Sequence, residues 1–184
     1  MITTSLKGEA PGAYRLVQAV TRRQLDPEQQ RQWTAAALSL MWAAVPQHPD
    51  DTDAWPVMAR LLPHVLAVSE HATSGEVESD TTAGLLTETA RYLWSRAELQ
   101  QATRLLERAL ALREARLGAD HTTTAQSLNN FAVVLRDQGD LAGARTLHEC
   151  ALTIREARLG ADHPDTMRSR ELLAAVVTEL EYRD

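Results

Sequence analysis

The string REARLGADH occurs twice, at residues 113–121 and again at residues 155–163, and this repetition decides the fold. Upstream of each string, the stretches AGLLTETARYLWSRAELQQATRLLERALAL (83–112) and AQSLNNFAVVLRDQGDLAGARTLHECALTI (125–154) align without a gap, at a period of 42 residues. A third, partial copy begins with PDTMRSRELLAAVV at residues 164–177. A repeat of this length, apolar at helical spacing and broken by glycine, predicts stacked pairs of helices.

The composition fits a helical globular chain of one domain or two small ones, because 44% of the 184 residues are hydrophobic. The net charge of -6 argues against nucleic acid as a partner, since such binding depends on neutralising phosphates. Cys150 is the single cysteine, so no internal disulfide can form. No segment approaches the roughly 18 apolar residues of a membrane span. We therefore expect a cytoplasmic protein, and Lys7 as the only lysine suggests a GC-rich bacterial genome.

The chain divides into three parts. A short polar opening precedes an N-terminal helical segment, and a polar stretch around residues 73–80 separates that segment from the repeats. The expected divisions are 1–13, 14–80 and 81–184, the last made of repeats 81–121 and 122–163 and a final helix in 164–184. The expected helices cover 14–25, 26–45, 54–72, 81–96, 99–117, 123–138, 141–159 and 166–182. Pro63 is expected to kink or divide the third of these.

Several residues mark the ends of the expected helices. Asp26 followed by Pro27 predicts a helix start, with the carboxylate as N-cap. Gly118 and Gly160 follow arginine-rich last turns, where a left-handed residue commonly ends a helix. Asp120 and Asp162 are predicted to cap the helices that follow, which is the alternative to reading Asp120–His121 and Asp162–His163 as metal ligands.

The copies resemble tetratricopeptide repeats, in the 42-residue form found in kinesin light chains and many bacterial proteins. In such repeats small residues let the two helices of a pair approach closely, and large apolar residues surround them. The small residues here are Ala90, Ala102, Ala109, Ala132, Ala144 and Ala151, and the large ones are Leu86, Leu93, Leu99, Leu128, Phe131, Leu135 and Leu141. The last copy supplies only its first helix, which resembles a capping helix. The resemblance implies an all-α, right-handed solenoid that binds other proteins.

The N-terminal part resembles the region that precedes such repeats in bacterial NB-ARC-type signalling ATPases. The similar stretches are YRLVQAVTRRQL (14–25), RQWTAAAL (31–38) and DTDAWPVMARLLPHVLAVSEHA (51–72). No GxxxxGK[ST] string occurs, so no ATPase activity is carried over. An alternative function is therefore that of a regulatory or sensor fragment of such an ATPase.

The candidate partner-binding residues are Asn129, Asn130, Glu88, Arg136 and Trp94. The resemblance implies that an asparagine at position 130 hydrogen-bonds a bound peptide's backbone, and an amide suits that role because it both donates and accepts. A solvated helix residue or a hydrogen bond between helices is the alternative for both asparagines. Glu88 is the equivalent of Asn130 in the first copy, and Trp94 is the equivalent of Arg136.

The tryptophans are expected to pack in the core or between helices, and one exposed on the concave face would mark a binding hot spot. They are Trp33, Trp42, Trp55 and Trp94.

The expected partner is a protein or peptide, with neither nucleic acid nor membrane involved. Self-association is a further alternative, because the incomplete last repeat exposes an apolar end at Leu172, Leu173, Val176 and Val177. No motif marks a catalytic residue, a cofactor site or a metal site, so an enzyme is not expected. Cys150 aligns with Arg108 and is expected to be an exposed, inert thiol.

Overall fold

The computed structural model of the chain describes residues 25–74, 77 and 80–182. The described part contains seven α-helices and no strand, which confirms the all-α prediction. They are α1 (Pro27–Ala44), α2 (Trp55–Ser74), α3 (Asp80–Ser95), α4 (Leu99–Leu117), α5 (Thr122–Asp137), α6 (Leu141–Leu159) and α7 (Pro164–Glu181), with a 3₁₀ turn at Thr52–Ala54. The helix predicted over 14–25 lies outside the described residues except for Leu25.

The N-terminal helices begin and end close to their predicted positions. Asp26 caps α1 as expected, since its Oδ1 accepts a hydrogen bond of 2.8 Å from the backbone N–H of Gln29. The Gln29 side chain returns the contact by accepting from the Asp26 backbone N–H at 3.2 Å. Pro63 does not divide α2, which is continuous from Trp55 to Ser74. Because Pro63 and Ala59 lie on the exposed face, water can hydrate the carbonyl that lacks a donor.

The loops that close each repeat differ from the prediction at their caps. The N-caps of α5 and α7 are His121 and His163, not the preceding aspartates. Each imidazole Nδ1 accepts from a backbone N–H two residues on, at 3.2 Å for His121 and 3.1 Å for His163. Gly118 and Gly160 are C-caps with φ of 91° and 90°, but their ψ of 158° and 164° is extended, not left-handed helical. That region is essentially restricted to glycine.

Consecutive helices pack against one another, so the chain forms an array of helix pairs, α3–α4 and α5–α6, followed by α7. We call the first helix of each pair the A helix and the second the B helix, with α7 a final A helix. The six predicted small residues are all at most 1% exposed, as close helix packing requires. Ala174, the equivalent of Ala90 and Ala132, is exposed, because no B helix covers α7 in the described part of the chain.

The same polar contact recurs where each B helix meets the following A helix. Arg113 on α4 donates from Nη1 to Ser127 Oγ on α5 at 2.6 Å. Arg155 on α6 donates from Nη1 to Ser169 Oγ on α7 at 2.9 Å. The donors and the acceptors are each separated by the repeat period, so this Arg–Ser latch belongs to the repeat itself.

The N-terminal helices α1 and α2 pack on each other and on α3, while the predicted division at residue 80 stays a prediction. Their shared core contains Leu38, Val65, Val68, Ala72 and Leu85. Arg108 on α4 adds hydrogen bonds to the Ser69 carbonyl and the Thr73 hydroxyl of α2.

The tryptophans of this region do not all pack as predicted. Trp33 is 67% exposed on α1, so the prediction that it lies in the core was wrong. Trp42 rests its ring against Gly84 of α3, where a Cβ would lie 2.9 Å from the ring. Trp55 is half-buried and donates from Nε1 to the Asp50 carbonyl at 3.2 Å.

Candidate functional site

A groove of about 370 Å³ crosses the A helices, and we call it the A-helix groove. Residues from α3, α4, α5 and α7 line it together with one residue of the loop before the 3₁₀ turn. Those that carry its chemistry are Asp50, Glu88, Arg91, Trp94, Gln126, Asn130, Val133 and Arg168. The groove thus brings together three of the five candidate residues, Glu88, Trp94 and Asn130.

Arg91 pairs with both carboxylates on the acidic side of the groove. Its guanidinium bridges two carboxylates, reaching Glu88 at 2.9 Å and also binding Asp50. Burial raises the pKa of Glu88 above its usual range, and the charge and hydrogen bond of Arg91 oppose that rise. Glu88 is therefore held by an ion pair within the molecule and is not an unpaired acid offered to a partner.

Asn130 lies in the middle of the groove and is half-buried. Within the described residues, its amide makes no hydrogen bond to any other group. The amide can therefore donate and accept toward a bound molecule at the same time. Val133 follows one turn later and gives the groove an apolar wall beside this amide.

Trp94 and Arg136 meet at one carboxylate at the end of the groove. Trp94 Nε1 donates to Asp137 Oδ2 at 2.7 Å, and Arg136 binds Asp137 Oδ1 at 3.2 Å. Asp137 thereby joins the first repeat to the second. Because its N–H is already bonded, Trp94 can contact a partner only through the apolar face of its ring. The charge of Arg136 is compensated by Asp137.

Asn129 is in the core, only 5% exposed, although the sequence made it a candidate for partner contact. Its Nδ2 donates to Ser169 Oγ of α7 at 2.7 Å, and its Oδ1 lies 2.7 Å from Nδ1 of His148 on α6. Since a carbonyl oxygen can only accept, the His148 Nδ1 carries the proton. Burial, with a contribution from Arg136, lowers the pKa of His148 to about 4, so the ring is neutral. Asn129 is therefore not available for contact with a partner.

Asn129 makes hydrogen bonds between helices, which was the alternative given for it, and the sequence held a signal that favoured this alternative. Asn129 is four residues after Ala125 and three before Ala132, and both alanines are buried. Its equivalent in the first copy, Thr87, is also buried. Residues at these spacings share one face of a helix, so the position belongs to the buried face.

The loop edge of the repeats forms a shallow depression lined by Asp120, His121 and Arg158. The Nδ1 of His121 is engaged as a helix cap, and Arg158 donates to the Asp120 carbonyl at 3.1 Å. Within residues 25–74, 77 and 80–182, no group of three His, Cys, Asp or Glu side chains could hold a metal ion. None of the helices described has the length and apolar character that a membrane-spanning segment needs.

The repeats match a known family. Residues 82–123 and 124–165 each match the family model for the tetratricopeptide repeat. The fold is similar to that of BtubC (BKLC) from P. vanneervenii, with a TM-score of 0.62 and 21% identity over 91% of this chain. The present chain spans 66% of that protein, just under two thirds of its length. Repeats of this family generally mediate protein–protein interactions.

A second similar fold belongs to a Podosopora anserina protein described as a kinesin light chain with nearly identical TPR-like repeats. Its TM-score is 0.51 at 21% identity, over 71% of this chain and 67% of that one. No curated protein matches the chain in sequence. These similarities confirm the α-solenoid fold, whereas the resemblance of residues 14–72 to NB-ARC-type ATPases stays a prediction.

Proposed function

We propose that this pair of tetratricopeptide repeats binds a peptide or an extended segment of a partner protein in the A-helix groove. The observation that carries the proposal is the amide of Asn130. It is half-buried in a groove, makes no hydrogen bond to another described residue, and stands beside the apolar wall of Val133. A polar group left in this way in a concave surface fits a partner that completes its hydrogen bonds.

The neighbouring charges define how such a segment would lie. An extended backbone offers a carbonyl and an N–H to one asparagine side chain, as a peptide in a helical groove requires. Asp50 and Glu88 share the single positive charge of Arg91, so that side stays acidic and disfavours a carboxylate of the partner. At the α7 side, Arg168 has no ion pair within the described residues and can attract a carboxylate of the partner. The Trp94 ring supplies apolar contact area at the far end.

The two asparagines provide a test with an internal control, because they are the only ones in the chain. Selective labelling with ¹⁵N-asparagine gives two side-chain amide signals, one from buried Asn129 and one from Asn130 in the groove. Peptides would first be selected from a random-peptide display library with the full chain as bait. Titration of a selected peptide should shift the Asn130 amide signal and leave the Asn129 signal nearly unchanged.

Matched variants complete the test. Asn130→Ala removes the amide and Val133→Arg fills the groove, so both should weaken binding of the selected peptide at least tenfold by calorimetry. Cys150→Ala, which changes an exposed residue of α6 outside the groove, should bind as the wild type does. If Val133→Arg and Cys150→Ala bound the peptide equally well, the peptide would not occupy the groove and the proposal would be wrong.

A further inference from the structure

The outward face of α1 is apolar and uncovered in the described part of the chain. Trp33 is 67% exposed and Leu40 is 65% exposed, and both lie far above the exposure usual for such side chains. Ala36 and Ala43 lie on the same face and are exposed as well. Together the four residues form a stripe of large, small, large and small side chains along three turns of the helix, which we call the α1 stripe.

The α1 stripe has the residue spacing of the B helices. In α4 the series Leu99, Ala102, Leu106 and Ala109 has the same intervals of three, four and three residues, and in α6 the series is Leu141, Ala144, His148 and Ala151. In both helices the last three positions are buried, at no more than 3% exposure, against the preceding A helix. The stripe thus presents to solvent a pattern that elsewhere in this chain covers an A helix.

At the other end of the array, α7 presents the complementary face. Met167 is 49% exposed, Ala174 is exposed and Val177 is half-buried. The equivalents of Met167 and Ala174 in α5 are Ala125 and Ala132, which are fully buried under α6, and the equivalent of Val177 is Leu135, which is half-buried. Val176, predicted to be part of an exposed apolar end, faces the core instead and is fully buried. The surface left open on α7 is therefore the one that a B helix would cover.

We propose that α1 of a second copy of this chain docks on α7 as its B helix, so that copies associate head to tail. The contact would continue the packing between A and B helices that already exists twice in each copy. The charges near the contact are already paired, apart from Glu171, which stands at the position of the buried Asn129. The only charged residues of α1, Glu28 and Arg31, bind each other at 2.7 Å, and Arg170 on α7 is held by Glu156 at 2.8 Å.

Because the two surfaces are different, the contact is heterologous, and the pair of copies keeps one free surface of each kind, α1 on one copy and α7 on the other, after the first contact forms. A symmetric dimer through α1 alone or α7 alone would consume one kind of surface and stop. This difference separates the proposal from the simpler alternative of self-association through the last helix.

The test uses two variants of the full chain, Leu40→Glu on α1 and Ala174→Glu on α7, and measures mass by light scattering across a concentration series. Wild type should exceed the monomer mass of 20.3 kDa increasingly as concentration rises. Each variant alone should remain a monomer at every concentration. An equimolar mixture should form a one-to-one dimer and nothing larger, since the Leu40→Glu copy still offers α7 and the Ala174→Glu copy still offers α1.

Controls make the outcome decisive. Both changed residues are exposed, so circular dichroism should show the variants to be folded as the wild type is. Val133→Arg, which blocks the A-helix groove, should leave the assembly unchanged, because the two surfaces are independent of the groove. A wild type that stays monomeric throughout would overturn the proposal, and so would self-association of either variant alone. A mixture that remains monomeric would also refute it.

Discussion

Replacing Asn129 by alanine should destabilise the protein strongly, whereas the same change at the next residue should not. Asn129 makes two hydrogen bonds of 2.7 Å in the core, one to Ser169 and one to His148. Loss of the bond to Ser169 costs about 1 kcal/mol, since its hydroxyl keeps the bond from Arg155. The His148 N–H would be left buried without a partner, which costs a further 1–3 kcal/mol or so. We therefore expect the free energy of unfolding to fall by about 2–4 kcal/mol.

Asn130→Ala is the matched control, because Asn130 is half-buried and bonds to no other described residue. Its effect should stay within about 0.5 kcal/mol. Urea unfolding followed by circular dichroism measures both changes. Hydrogen exchange adds a local measurement, since the bond to Ser169 attaches α7 to α5, and amides of α7 should lose protection first in Asn129→Ala.

Two results would refute this reasoning. Equal loss of stability in both variants would mean that the buried network contributes nothing beyond helix propensity. A loss below about 1 kcal/mol in Asn129→Ala would mean that His148 finds another partner or reaches water.

Because burial lowers the pKa of His148 to about 4, the unfolded chain binds the extra proton as the pH falls below 6.5, and stability should drop by up to about 3 kcal/mol between pH 6.5 and pH 4. His148→Gln should flatten this part of a plot of urea midpoint against pH, and an unchanged slope would contradict the assignment. Ala97 has a φ of 59° where the second copy has Gly139 at 88°, so Ala97→Gly should stabilise and Gly139→Ala destabilise, by about 1 kcal/mol each in thermal unfolding. Gly84→Ala would bring a Cβ to 2.9 Å from the Trp42 ring and should lower stability, but in a Trp42→Ala background it should raise stability by about 1 kcal/mol, as helix propensity alone predicts. A double-mutant cycle with no coupling would show that the ring does not rest there.

The 42-residue repeat predicted the array of helix pairs correctly, because the spacing of its small and large apolar residues can be read from the sequence of each repeat alone. The alanines at 90, 102, 109, 132, 144 and 151 are buried as their spacing indicates. The start of α1 was also predicted at the correct residue, because an aspartate side chain such as that of Asp26 is itself a preferred N-cap. The histidine N-caps of α5 and α7 were not predicted, because aspartate is generally preferred over histidine as an N-cap. The position of the residues was the better guide, since a histidine directly precedes both helices.

The candidate site was predicted only in part, because contact with a partner depends on which side of a helix a residue faces. Asn129 and Asn130 are adjacent, yet one lies in the core and the other in the groove. The residue type alone could not separate them. The prediction that Trp33 is buried was wrong for a related reason. A large apolar residue at helical spacing predicts burial against some neighbour, and that neighbour need not be in the described part of the same chain.

The Arg–Ser latch has a consequence for how such an array can change in length. The arginine comes from the end of one unit, and the serine comes from the start of the next, at both Arg113–Ser127 and Arg155–Ser169. A tandem duplication of one whole unit of 42 residues would therefore carry its own donor and its own acceptor into the new junction. The array can lengthen by gene duplication without a compensating substitution, and the inserted unit would be joined to its neighbours from the moment it appears.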